Sequence, residues 1–153
     1  MARMEDLVPA EQDHMRALPL PKFASEPWVE GPPLSLRRVA IVTTAGLSLR
    51  GENLFARGAA DYRVIPADAA PADILMSHIS VNFDRTGFQD DVNVVFPIDR
   101  LKELADAGKI GSVAEFHYSF MGATDTAHLE ASARELAGML KEDGVNAVLL
   151  SPV

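Results

Sequence analysis

Val39-Ala40-Ile41-Val42-Thr43-Thr44-Ala45-Gly46 is a short run of apolar and β-branched residues closed by glycine. Such a run reads as a strand buried on both faces, the habit of a parallel sheet. Asp73-Ile74-Leu75-Met76-Ser77-His78 and Val92-Asn93-Val94-Val95-Phe96 are two further strand candidates. Pro97 then opens a helix through Ala107, with Ile98, Leu101, Leu104 and Ala105 on one face and Gly108 where such a helix ends. Ala114 to Phe120 alternates and reads as a strand running into Met121-Gly122. A longer helix is predicted from about Thr126 to Asp143. Leu129, Ala133, Leu136, Ala137 and Leu140 share its face, Thr124 or Asp125 caps it, and Gly144 stops it. Val145-Asn146-Ala147-Val148-Leu149-Leu150 is the last strand, followed by Ser151-Pro152-Val153. Helices of this length between short apolar strands predict an α/β fold, a mostly parallel open sheet flanked by helices.

The segment before residue 37 is different. It holds Pro9, Pro19, Pro21, Pro27, Pro32 and Pro33, and Trp28 is the chain's only tryptophan. Ala10 to Leu18 can form a short helix with Pro9 at or near its start, and the proline-rich stretch after it should be extended. The predicted organisation is an N-terminal proline-rich arm over residues 1–36 and an α/β domain over 37–153. The arm would lie on the domain or on a neighbouring subunit; a disordered leader is the rival reading.

With 153 residues, 48% of them apolar, the chain can bury the core of one domain. Fourteen Lys and Arg against 22 Asp and Glu give a net charge of −8, which disfavours a nucleic-acid partner. No run of eighteen apolar residues is present to span a membrane. Met1-Ala2-Arg3-Met4-Glu5-Asp6 leads into an acidic stretch rather than a signal peptide, so a cytoplasmic location is expected. The absence of cysteine excludes disulfides, thiolate metal sites and thiol chemistry within these residues.

In open parallel sheets, ligands sit beyond the carboxyl ends of the strands. Those ends are Thr43-Thr44-Ala45-Gly46, Ser77-His78 and Ser151-Pro152-Val153. Thr43 and Thr44 can bind an anion with the backbone near Gly46, although strand-end threonines more often bond their own turn. His78 precedes Asn82, Asp84 and Arg85. Arg85 could grip a substrate carboxylate as a fork while His78 serves as acid or base. Alternatively, His78 is a hydrogen-bonded core residue and Asp84-Arg85 a loop ion pair. His117 and Tyr118, just before Ser119, pose the same choice, since alternation lets only one of the two face a pocket. His78, His117 and His128 lie on separate elements, so no metal site is expected, and His128 reads as surface. Walker A, G-x-G-x-x-G and G-x-S-x-G patterns are all absent, leaving nucleotide binding and α/β-hydrolase chemistry without support.

The order of several segments carries a resemblance. Val39 to Leu47 is followed by Asp61-Tyr62-Arg63-Val64-Ile65-Pro66, then Ser77-His78-Ile79-Ser80-Val81-Asn82-Phe83-Asp84-Arg85. Asn93 to Leu101, His117-Tyr118-Ser119-Phe120-Met121-Gly122 and Ala147 to Val153 complete the series. Together they resemble the selenoprotein B family of the glycine, sarcosine, betaine and D-proline reductases, over roughly residues 37–153. The resemblance is nearest to the short bacterial members of that family.

The resemblance implies reductive cleavage of a carbon–nitrogen bond in an amino acid or methylated amine. The nucleophile would be a selenol or thiol, a partner subunit would supply a pyruvoyl group in some systems, and a thioredoxin-type donor the electrons. In the family, the strand resembling Ala147 to Val153 is followed by selenocysteine or cysteine, with a second cysteine nearby. Here the sequence stops at Val153. Selenocysteine is encoded by a codon that ordinary translation reads as stop, so a chain truncated there, and inactive without its nucleophile, is expected. A naturally shorter protein and a deliberately shortened one are the alternatives.

The placement suits the chemistry, because a helix N-terminus after a parallel strand would lower the pKa of such a nucleophile. On this reading Thr43, Thr44, Gly46, Asn82, Asp84, Arg85 and Ser119 line the substrate pocket, and His78 or His117 donates the proton to the leaving amine. No other cofactor is expected within the chain. The second reading is a non-catalytic assembly module that docks a partner through an uncovered sheet face, with a homodimer as the expected state.

Overall fold

The computed structural model describes residues 3–18, 28–80 and 85–153. Its centre is β1 (Arg38–Thr43), whose Val39, Ala40, Ile41 and Thr43 are buried, as a strand enclosed on both faces requires. On one side β1 pairs in parallel with β7 (Ala147–Ser151), from Val39 opposite Ala147 to Thr43 opposite Ser151. On its other side it pairs in parallel with β5 (Ser112–Val113) and then with β6 (Phe116–Ser119). The outer strand β3 (Arg63–Pro66) runs antiparallel to β6. The architecture is therefore α/β with a mostly parallel sheet, as the sequence predicts.

Two helices flank this sheet. Helix α4 (Thr126–Glu142) starts at Asp125, whose carboxylate accepts the Ala127 N–H, and Gly144 follows it at φ +70°. It presents Leu136 and Leu140 to a cluster with Ala40, Tyr118, Phe120 and Val145. Helix α3 (Ile98–Asp106) buries Ile98 and Leu101 against the opposite cluster, which holds Ile41, Leu47, Ile65 and Phe96. Leu104, expected on the same face, is exposed. At the base of the sheet, Arg38 binds the Asp143 carboxylate at 2.8 Å and the Val113 carbonyl at 3.2 Å. This ties the end of α4 to two strands.

Three expectations need correction. Val92 to Phe96 is not a strand but a 3₁₀ turn (Val92–Val94) that lies between the short helix α2 (Thr86–Asp90) and α3. Asp91 caps that turn by accepting the Asn93 N–H at 2.9 Å, and Asn93 in turn accepts the Asp99 N–H at 3.0 Å. Side-chain capping there competes successfully with strand pairing. The stretch at residues 73–78 does contribute a strand, β4 (Ile74–Met76), but outside the parallel sheet. It pairs antiparallel with β2 (Leu47–Leu49), because Gly46 at φ +66° turns the chain back after β1. Finally, the strand expected from Ala114 to Phe120 is interrupted. Val39 faces Val113 while Val42 faces Tyr118, three steps against five, so two extra residues bulge out between β5 and β6.

Before residue 37, the short helix α1 (Pro9–Ala17) has Pro9 in its first turn, as expected. No described residue of 3–36 is buried. Pro19, Pro21 and Pro27, on which the extended reading rests, lie outside the described residues. No helix among the described residues is long and apolar enough to cross a membrane.

Candidate functional site

The carboxyl ends of β1, β6 and β7 meet at one place, and the turn after β1 brings a fourth segment to it. Thr43 is fully buried; its hydroxyl donates to the Ser151 carbonyl at 3.2 Å and accepts the Ala45 N–H at 3.2 Å. Thr44 donates its N–H to the same carbonyl at 3.1 Å. Its hydroxyl accepts the Val153 N–H at 2.8 Å and lies 3.3 Å from the Val153 oxygen, to which it donates. Ala45 bridges to Met121, and Gly46 donates its N–H to the Phe120 carbonyl at 2.9 Å. Ser119 is buried, with its hydroxyl accepting the Leu47 N–H at 2.7 Å.

Gly46 is also what admits His78. A Cβ on Gly46 would lie 3.0 Å from the His78 nitrogen and 3.1 Å from its Cα, so a side chain there would push the His78 backbone away. The Gly46 carbonyl accepts from both the N–H and the hydroxyl of Ser77, at 2.8 and 3.0 Å. His78 is buried, and its Nδ1 accepts the Ser80 N–H at 3.2 Å. That bond leaves Nε2 to carry the proton in the neutral ring. Burial, and then the Arg85 cation, hold its pKa below the usual histidine value. The Arg85 guanidinium donates to the His78 carbonyl and to the Ser80 carbonyl. Both bonds come from one nitrogen, Nη2, and hold the guanidinium against the backbone of residues 78 and 80. Asn82 and Asp84 lie outside the described residues.

His117 is placed differently. It sits inside the sheet at zero exposure, with its ring edge-on to Phe96 at 5.5 Å between centroids. The bulge between β5 and β6 turns the Glu115 carbonyl toward Ala67, whose N–H donates to it at 2.9 Å. His117 Nδ1 accepts the Ile41 N–H at 2.9 Å in the middle of β1. A side chain thus substitutes for a missing strand carbonyl. The ring must be unprotonated at Nδ1 for this bond. Burial, followed by the charges of Lys102 and Arg38, lowers its pKa to about 4. His117 Nε2 has no hydrogen-bond partner among the described residues.

The structure therefore brings Thr43, Thr44, Gly46, Ser119 and His78 together, while His117 belongs to the core behind them. The hydroxyls of Thr43 and Ser119 are committed to backbone, so these residues build the walls of the site. Sequence reasoning missed Gly122 as a site residue, although Met121-Gly122 closes a strand-like run. A Cβ on Gly122 would lie 2.6 Å from the Val153 oxygen and 2.8 Å from the Thr44 oxygen. Surface cavities of about 370 Å³ beside Ile74 and Phe88 and about 400 Å³ beside Asp61 and Arg63 lie away from this point. No group of three or more His, Cys, Asp or Glu residues among the described residues could hold a metal ion.

Comparison with known proteins supplies the context for this geometry. Residues 10–153 match the family model of the glycine/sarcosine/betaine reductase selenoprotein B. The match begins well before residue 37 and so takes in most of the segment read as an arm. The D-proline reductase subunit gamma of Acetoanaerobium sticklandii is 38% identical over 116 residues, covering 74% of this chain and 47% of that protein. The betaine reductase complex component B subunit beta of Peptoclostridium acidaminophilum is 30% identical over 149 residues, or 92% of this chain and 33% of that one. The glycine reductase complex component B subunit gamma of Symbiobacterium thermophilum is 31% identical over 144 residues, covering 87% and 32%. The chain thus spans 32 to 47% of the length of these relatives. No solved structure matches.

Proposed function

Because the chain belongs to the glycine/sarcosine/betaine reductase selenoprotein B family, we propose that it forms the substrate-side framework of a selenol- or thiol-dependent reductase. The reaction is reductive cleavage of a carbon–nitrogen bond in an amino acid or methylated amine. The observation that carries this reading is the convergence of the β1, β6 and β7 ends on Val153, with His78 alongside. In this reading the selenol or thiol is carried by the residue that follows Val153. The 153 residues alone then turn over no substrate, in keeping with their lack of cysteine.

Within this framework His78 supplies the proton to the leaving amine; the support is that its backbone packs directly against Gly46, just past the end of β1. His117 keeps β6 in register with β1 and takes no part in proton transfer. Thr43, Gly46 and Ser119 shape the wall. Arg85 holds the backbone at His78 and Ser80. The relatives named as subunits of reductase complexes make partner subunits the natural expectation. We place a pyruvoyl-bearing subunit and a thioredoxin-type electron donor among them, in the cytoplasm.

The test is reconstitution. A chain extended through its own downstream segment, given a dithiol reductant and the partner components, should release amine from one of glycine, sarcosine, betaine or D-proline. The 153-residue chain should release none. Absence of turnover by the extended chain with all four would remove the reading.

A second reading has a specific observation in its favour. Among the described residues β7 pairs only with β1, and its outer Val148, Leu149 and Leu150 are 42%, 38% and 69% exposed. An uncharged edge strand of this kind is a template for pairing. As an assembly module the chain would sediment as a homodimer, and Val148→Lys with Leu150→Lys would convert it to monomer. A monomeric parent chain would eliminate the β7-paired homodimer.

A further inference from the structure

We infer that Thr44 and Gly122 form a clamp that fixes the backbone of Val153, and with it the point at which the chain leaves the sheet. The β1–β7 ladder ends at Thr43 opposite Ser151. Beyond it the Thr44 carbonyl, which a continued parallel ladder would offer to the Val153 N–H, is taken by the Gly122 N–H. The Thr44 hydroxyl takes over, serving both backbone groups of Val153 by accepting its N–H at 2.8 Å and donating to its oxygen at 3.3 Å.

Thr44 is itself held on both sides. Its N–H donates to the Ser151 carbonyl at 3.1 Å, and its own carbonyl accepts the Gly122 N–H at 2.9 Å. Gly122 provides the room, because a Cβ would stand 2.6 Å from the Val153 oxygen and 3.0 Å from the Thr44 hydroxyl oxygen. Gly122 is not among the glycines with positive φ, so its missing side chain answers to space and not to backbone conformation.

Strand ends without such anchors fray. Thr44 is on this account a positioning residue rather than a substrate ligand. Its bearing on catalysis rests on the reductase reading above. A group carried just past Val153 would be held at a fixed place beside Gly122, where orientation contributes to rate.

The test is residue-resolved amide hydrogen exchange on the 153-residue chain. Thr44→Val should speed exchange at Val153 about tenfold, the effect of losing one hydrogen bond of ordinary strength. Ile41 and Val42, deep in the sheet, should be unaffected. Thr44→Ser keeps the hydroxyl and should restore the parent rate. Gly122→Ala, which leaves the hydroxyl in place but displaces Val153, should match Thr44→Val. Equal Val153 exchange in the parent and Thr44→Val would overturn the clamp, as would failure of Thr44→Ser to restore protection. Should Thr44→Val not fold, Gly122→Ala decides, and unchanged Val153 exchange in it overturns the clamp. No turnover is needed, so a failed reductase assay leaves this result standing.

Discussion

Lowering the pH from 7 to 4 is expected to remove roughly 3 kcal/mol of folding stability through His117 alone, the linkage value for a pKa near 4 folded and 6.5 unfolded. The folded chain keeps this ring neutral, because Nδ1 accepts the Ile41 N–H and no solvent reaches it. The unfolded chain takes up a proton as pH falls through 6.5. Stability from this group is therefore complete above about pH 6.5, is lost progressively down to about pH 4, and changes no further below. His78, whose folded pKa is also lowered, acts in the same direction. Urea denaturation followed by circular dichroism at a series of pH values measures the slope.

His117→Asn isolates the contribution of His117. Its side-chain oxygen can replace Nδ1 as acceptor but does not titrate, so the pH slope between 4 and 6.5 should flatten. His117→Phe keeps the bulk but strands the Ile41 N–H, at a cost of about 1–3 kcal/mol at neutral pH. A parent chain with no pH slope in this window would refute the assignment.

Under the proposed reductase function, in a chain extended past Val153, His78→Ala is expected to lower kcat by roughly a hundredfold to ten-thousandfold, the usual range for loss of a positioned proton donor. A donor must be protonated to act, and the depressed pKa means that the protonated fraction falls as pH rises. The parent kcat/KM should therefore decline with rising pH, with a midpoint below the ordinary histidine value. That decline should vanish in His78→Ala while the fold, monitored by circular dichroism, persists. Unchanged turnover would remove His78 from the mechanism and leave it as a core histidine that braces its own loop.

The parts of this structure that are visible in the sequence are those determined locally. The β-branched run before Gly46 becomes β1, and the apolar stripes with their Asp125 cap and Gly144 stop become α4. The parts that are not visible depend on distant partners. Val92 to Phe96 has strand composition, yet Asp91 and Asn93 commit it to a capped turn. Of the stretch read as a strand at residues 73–78, Ile74 to Met76 is one, but composition alone could not show that it pairs antiparallel with β2.

The site is legible to the same degree. Thr43, Thr44, Gly46, His78 and Ser119 do converge, as strand-end reasoning suggests. The hydroxyls of Thr43, Thr44 and Ser119, however, serve backbone groups, and only folding reveals that Thr44 reaches residue 153. His117 shows the limit most clearly. Alternation allows it to be pocket or core, but its insertion into the ladder depends on a bulge between β5 and β6 that no local pattern announces.

Under the proposed reductase function, the strand end held by Thr44 leads directly into a redox nucleophile. Determining the coding sequence immediately downstream of the Val153 codon tests it most directly. A cysteine codon is expected there, or a TGA codon with the reading frame continuing beyond it, and a further cysteine codon nearby. A downstream frame carrying neither selenocysteine nor cysteine after Val153 would contradict the reductase account and leave assembly through β7 as the reading to pursue.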